Sequence, residues 1–299
     1  MGMNKLFDKQ VSLYLYDSEG GTGTPTDIIT MPATGIKPNI GINAEFLPSN
    51  VVQNPMIRLT NFYPSKPLSD YKWFKCLAGY KDSPDWAGFE GQVWVAYQES
   101  PSPDGVTLIS CATANTTDVY NAMIDLHAEK NTYLSDIFDL CAKSLSDNSG
   151  LDWTIENNLA DLQIPMQVDF NGPVKDLLAK LKSIFGFIYF FEGKTIVVCN
   201  ANAGRTSLDA LKINYLSSPP VQAAVGVTFT APWMPELKPF MNINIDPVYF
   251  KQKYDATKVQ ISSTLVCYTI NVEFNTVTQQ NVMTVLALNI ADVPNEGST

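Results

Sequence analysis

The chain has 299 residues, 45% of them apolar and only 17% charged, with 13 Tyr, 15 Phe and 5 Trp, so it is not a disordered protein. Its net charge of −10, from 20 basic and 30 acidic residues, argues against adhesive binding to nucleic acid, because that affinity comes from Lys and Arg neutralising phosphates. At this length two or three domains can bury a sizeable core without a metal or disulfide staple.

The first twenty residues carry no apolar h-region and no small-residue cleavage site. No apolar run approaches the ~18–20 residues that span a bilayer, so no membrane insertion is expected. A soluble protein made in a reducing cytosol is the expectation. Five cysteines, at 76, 111, 141, 199 and 267, form no C-x-x-C pair and read as buried free thiols.

In chain order, Val11 to Tyr16 alternates as a half-buried strand. Asp17 to Pro25 follows as a glycine-rich turn. It lacks the Gly-Lys-Ser/Thr end and the following helix of a phosphate loop, so it reads as a hairpin loop. Met56 to Asn61, Tyr71 to Tyr80, Phe89 to Tyr97 and Val106 to Cys111 are further strands, with a turn cluster at Lys81–Asp85. Short strands at this spacing predict a β-barrel or sandwich.

Composition changes near Ala112. Thr117 or Asp118 can cap a short helix near 118–127, with Val119, Ala122, Met123 and Leu126 on one face. Ser135 is expected to cap a clearer helix at 135–147, with Ile137, Leu140, Cys141 and Leu145 on one face and Gly150 as its left-handed stop. A helix at 173–185 follows, with Asn171 in the cap region and Pro173 at or near its first position. Val174, Leu177, Leu178 and Leu181 form its stripe, Ile184 and Phe185 continue it, and Gly186 stops it. The hairpin at 187–199 turns at Glu192-Gly-Lys194. A helix this short is marginal alone, so its leucines must pack on the hairpin.

After Asn200 the chain is strand-rich again. Val225–Thr230, Met241–Asp246, Ile261–Phe274 and Val282–Ile290 are the predicted strands. Ala231 to Pro239 reads as a fixed, extended connector, and Asn295–Thr299 as a disordered tail.

No constellation of catalytic groups stands out. His127 is the single histidine, expected at a helix end beside Glu129 and Lys130, and there is no G-x-S-x-G elbow. Asp85 and Glu90 could be imagined as paired carboxylates, but any chain with 30 acids offers such pairs. Asp147, Asp152 and Glu156 lack the spacing of a calcium loop and read as a solvated turn. No catalytic, cofactor-binding or metal-ligating residue is therefore assigned, no cofactor is expected, and the chain reads as a non-enzyme.

The order of segments resembles the central baseplate hub proteins of phage tails and related contractile injection machines. Ile57-Arg-Leu-Thr-Asn61 is similar to the early hub strand. Leu77-Ala-Gly-Tyr80, a turn and Phe89-Glu-Gly-Gln-Val93 look like the hub's AGY…FxGxV strand pair. Gly105 to Cys111 looks like the strand closing the first barrel. Ser135 to Cys199 resembles the helix, helix, hairpin insert, with its Gly-Lys turn in Glu192–Val198. Val225 to Ile245 is similar to the returning strands.

The resemblance covers residues 55 to 290 and implies a β-rich α+β fold: two small tail-tube-like β-barrel domains with an inserted two-helix plus hairpin α/β lobe. The expected division is 1–116 for the first barrel, 117–202 for the lobe and 203–299 for the second barrel region. Three copies would then give six barrels and a ring matching a six-fold tube. The implied partners are two further copies (a homotrimer), the tail tube or distal tail protein, the spike or tail-tip protein, and the tape measure. DNA would pass through without specific binding. The implied location is the virion tail, after synthesis in the host cytoplasm. Two departures are visible: a longer Gly/Pro-rich excursion over 20–50, and the lack of any lysozyme or peptidase extension, which favours a structural hub. A β-rich carbohydrate-binding or glycoside-hydrolysing module on a cell surface is the alternative.

Overall fold

The computed structural model describes residues 9–31, 39–48, 52–80, 87–100, 105–223, 226–245, 265–276 and 280–289. The turn cluster at 81–85, the strand ends expected at 225, 261–264 and 290, and the tail at 295–299 lie outside the described residues.

The first block contains β1 (Lys9–Tyr16), β2 (Asp27–Met31), β3 (Asn39–Phe46), β4 (Met56–Thr60), β5 (Trp73–Tyr80), β6 (Ala87–Ser100) and β7 (Val106–Ala112). The glycine-rich segment joins β1 to β2 as a hairpin loop, with Gly20 and Gly21 both at positive φ. Its backbone lies so close to the rest of the molecule that a Cβ on Gly20 would sit 2.5 Å from Leu151 Cδ2. The 14 residues of β6 pair with β5 through their first half and with β7 through their second. On the β7 side the register shifts between Val93 and Val95 and between Gln98 and Ser100, as β-bulges do.

The second block contains β13 (Leu211–Ile213), β14 (Val221–Ala223), β15 (Gly226–Ala231), β16 (Asn242–Ile245), β17 (Leu265–Asn275) and β18 (Gln280–Asn289), which follow the lobe in sequence. The excursion over 20–50 supplies β2 and β3. The latter pairs with β4 on one side and with β17 on the other. Through it the two blocks form one 13-stranded sheet, in the order β14-β15-β18-β17-β3-β4-β7-β6-β5-β1-β2, with β13 and β16 branching from β17. Among the described residues this path does not close on itself. A shared apolar core runs beneath it, from Val11, Ile40, Ile57 and Phe74 to Val227, Phe229, Val272 and Val285.

The lobe lies between the blocks in sequence. It holds α1 (Thr116–Asn121), β8 (Met123–Ala128), α2 (Leu134–Ser149), β9 (Thr154–Asn158), β10 (Val168–Pro173), α3 (Val174–Phe185), β11 (Phe187–Glu192) and β12 (Thr195–Asn200). In its three-stranded sheet, ordered β11-β12-β9, the β11–β12 hairpin is apolar on both faces because both are covered. Phe187, Tyr189, Phe191, Ile196 and Val198 face the helices, in a core that apart from Val52 is drawn from residues 112–198. Ile188, Phe190, Val197 and Cys199 face the second block, against Phe240, Val266 and Leu288. The leucine stripe of α3 packs as expected, with Val174, Leu177, Leu178 and Leu181 all fully buried. Gly150 and Gly186 end α2 and α3 in the left-handed conformation, at φ 71° and 69°.

Several local expectations need correction. Residues 118–127 are not one helix. Asn115, rather than Thr117 or Asp118, caps α1 by accepting from the Asp118 N–H, and the helix is over at Ala122. Met123–Ala128 then alternates exposed and buried as β8, because β10 offers it a six-residue antiparallel partner. Helix α2 starts after Tyr133, and Ser135 instead donates to Asp161 Oδ1 at 3.0 Å. Leu140 and Ile184 are exposed rather than part of their helices' buried faces. Asn171 lies within β10, whereas Pro173 falls as expected beside the first residue of α3, at its cap position. The connector 231–239 is not extended. It folds into turns that bury Trp233 and Leu237 in the main core, with the Leu237 N–H donating to Met234 O at 3.0 Å.

Candidate functional site

The groups singled out for catalysis are scattered. His127 sits on β8, not at a helix end. Its Nδ1 lies 2.5 Å from Oδ1 of Asp169, its cross-strand partner on β10. Hydrogen bonds from His127 and Gln167 hold the Asp169 carboxyl below the usual range. Both side chains are well exposed, and among the described residues no serine or cysteine hydrogen-bonds to the imidazole. Of the imagined carboxylate pair, Asp85 lies outside the described residues and Glu90 lines a cleft. All five cysteines are free and buried. Burial pushes the thiols of Cys76, Cys141 and Cys199 up to about 12, so they are not nucleophiles near neutral pH. Among the described residues, no three His, Cys, Asp or Glu side chains group as a metal site would need.

The densest polar chemistry lies where the lobe meets the second block. Arg205 follows β12, and its side chain is only 3% exposed. Its Nε donates to Glu156 Oε1 at 2.6 Å and its Nη2 to Glu156 Oε2, a bidentate fork on a carboxylate from β9. On its other side Nη1 lies 2.8 Å from Oε2 of Glu192, at the end of β11, as an ion pair without hydrogen-bond alignment. Lys238, from the turns after β15, donates to the other oxygen of Glu192. Asn158 Nδ2 and the Ser207 hydroxyl also donate to Glu156 Oε1, while Asn158 Oδ1 accepts from the Ser207 N–H at 2.6 Å. The guanidinium lies 5.8 Å from the Phe190 ring centroid.

Burial alone would raise the carboxyl of Glu156. The hydrogen bonds from Arg205 and Ser207 overcome it and bring the group down to about 2. Burial opposes ionisation of Glu192 as well, and the charges of Lys238 and Arg205 lower it all the same. Both carboxylates are therefore ionised and engaged near neutrality. They cannot act there as general acids, which need a pKa close to the working pH. Glu156 was read from sequence as part of a solvated turn and is instead the centre of this network. Apart from Asn158 its partners, Arg205 and Ser207, lie 49 and 51 residues away, so no local spacing of charges signals it.

Beside the network opens a cleft of about 450 Å³ between the first block, the lobe and the second block. Lys75 and Glu90, cross-strand partners on β5 and β6, line one wall. Asp152 and Lys194 of the lobe line another, and Arg205 and Lys238 close the end. Lys194 also reaches across to Gly20 O at 3.1 Å.

The other conspicuous surface is the sheet itself. Among the described residues its path ends at β2 on one side and β14 on the other, where Ile28 and Val221 are exposed. On the outer face of β4, β7 and β6, register places exposed Met56 in one row with Val95, and Arg58 in the next with exposed Tyr97. Arg58 and Glu99 pair at 3.5 Å on this face. Apolar groups and strand ends of this kind are features of proteins that assemble.

No protein-family model and no curated protein matches the sequence. Solved structures do. The 43 kDa tail protein of prophage MuSo2 from Shewanella oneidensis superposes with a TM-score of 0.57 at 8% identity, over 96% of this chain and 100% of that one. A tail protein from Neisseria meningitidis MC58 gives 0.58 at 8% identity, over 98% and 99%. The fold is that of phage tail proteins. The c3393 protein of E. coli, a component of the type VI secretion system with structural similarity to the T4 bacteriophage tail proteins gp27 and gp5, shares the tail-protein fold too. It gives a TM-score of 0.55 at 11% identity, over 85% of this chain and 75% of that one. At such identities the likeness carries the fold and no residue roles.

Proposed function

We propose that the chain is a structural subunit of a phage tail or related injection machine, specifically the central hub that joins the tail tube to the spike. The observation that carries this reading is the end-to-end match to two tail proteins, which spans at least 96% of this chain and 99% of theirs. In this reading the first and second β blocks, 1–116 and 203–299, act as two barrel-like halves flanking the lobe at 117–202. Three copies bring six halves into a ring that matches a six-fold tube. The tube or distal tail protein sits on one side, the spike or tail-tip protein on the other, and the tape measure in the lumen.

The acidic balance suits a conduit that DNA passes without adhering. The engaged carboxylates, the buried thiols and the exposed His127–Asp169 pair support a non-enzymatic part of the virion. Electron microscopy of the purified protein, alone and with tube and spike proteins, tests the proposal. Rings about as wide as a tail tube support it. Dispersed monomers that stay apart from tube and spike overturn it.

A further inference from the structure

The network around Arg205 has a consistent polarity. Both carboxylates, Glu156 on β9 and Glu192 on β11, belong to the lobe. Both cations, Arg205 and Lys238, belong to the segment that follows the lobe and leads through the second block. The contacts from Asn158 to Ser207 and from Phe190 to Arg205 cross the same seam. The rest of that seam is a small apolar face: Ile188, Phe190, Val197 and Cys199 against Phe240, Val266 and Leu288. Apolar contact is non-directional and permits sliding, whereas an arginine fork on a carboxylate fixes both distance and angle.

The lobe also has the makings of a rigid body. Its core is its own apart from Val52, Ala112 and Ala114 at the edge of the first block, so a tilt on the seam would leave nearly all of that core intact. The cleft beside the network leaves open space between the lobe and the first block. Where the chain leaves the lobe, it turns through residues 200–204 with Gly204 at φ 70°, and the next residue is Arg205 itself.

We propose that Glu156, Glu192, Arg205 and Lys238 form a latch that sets the angle of the lobe on the β scaffold, with Arg205 as the positioning residue. Removing the guanidinium takes away the one group that ties Glu156 and Glu192 to the same point of the scaffold, leaving Glu156 with only the hydrogen bonds from Asn158 and Ser207 and Glu192 with Lys238 alone. The lobe then swings on its apolar face toward the cleft while lobe and scaffold each stay folded.

Spin-label distances in the full chain test this, because all five native cysteines are buried and spare the labelling chemistry. One label pair, at exposed Lys143→Cys on α2 and Glu45→Cys on β3, reads the seam. A second pair, at Lys143→Cys and Ala179→Cys on α2 and α3, reads the inside of the lobe. Arg205→Met is expected to shift and broaden the first distance distribution and leave the second unchanged. Two results overturn the latch: a seam distribution identical to the parent's, or a lobe-internal distribution that broadens along with it. If Arg205→Met does not fold, Arg205→Lys keeps the charge and removes the fork. A smaller shift confined to the seam is expected there, and an unchanged seam again overturns the proposal.

Discussion

Leu178 and Gly91 show how single residues hold this fold. Leu178 is fully buried beneath α3, against the hairpin face that carries Phe187 and Tyr189. Leu178→Ala removes buried volume the site cannot refill, and a loss of about 2–5 kcal/mol in urea unfolding is expected. Gly91 sits on β6 against the end of β7, and a Cβ there would lie 1.8 Å from the carbonyl oxygen of Ala112. Gly91→Ala must push β6 away from β7. The expected outcome is a lower melting temperature with faster amide exchange along both strands. Sequence marked Leu178 clearly, because its partners lie three and four residues away. Gly91 was visible only as part of a Phe-Glu-Gly-Gln string, since the backbone it must avoid is 21 residues further on (112 − 91).

Among elements, α3 and its hairpin were the most legible. A cap, an apolar stripe, a glycine stop and two β-rich runs follow one another with no gap, so every signal is local. Strand β8 was not legible, because Val119, Ala122, Met123 and Leu126 also fit helical spacing. The alternation of Ile124, Leu126 and Ala128 was present in the same residues, and the partner β10, 40 to 50 positions on (168 − 128 and 173 − 123), decided between the two readings. Strand β3 was passed over in the same way. Ile40, Ile42 and Ala44 alternate, but the segment looks like loop until β4 and β17 flank it. The ion network of the seam is the extreme case, since none of its ion pairs joins neighbours in sequence.

The network also makes a pH prediction at this scale. The folded pKa of Glu156, about 2, lies below its ordinary 4.5. Its contribution to stability is therefore present above about 4.5 and is lost as pH falls through that window toward 2. Urea midpoints measured across the window should fall with acid, and Glu156→Gln should flatten the slope. An equally steep slope in the variant would place the sensitivity elsewhere.

For the whole molecule, charge and symmetry carry the predictions. With a net charge of −10, the protein should leave the mobility of duplex DNA unchanged at physiological salt, and a retarded band would contradict the conduit reading. The architecture was legible in the order of segments, and the joining of both blocks into one sheet was not, because that depends on a single strand from the least readable stretch of the chain. A ring needs a heterologous contact, one patch of a subunit meeting a different patch of the next. Obligate contacts of this kind run above about 2,000 Å² and are apolar, which suits the low charge and the exposed Met56, Val95 and Tyr97. Sedimentation at micromolar concentration tests the central claim most directly. The account predicts a species near three times 33.0 kDa. A stable dimer, whose two-fold contact uses up one patch and cannot repeat around a three-membered ring, would contradict it.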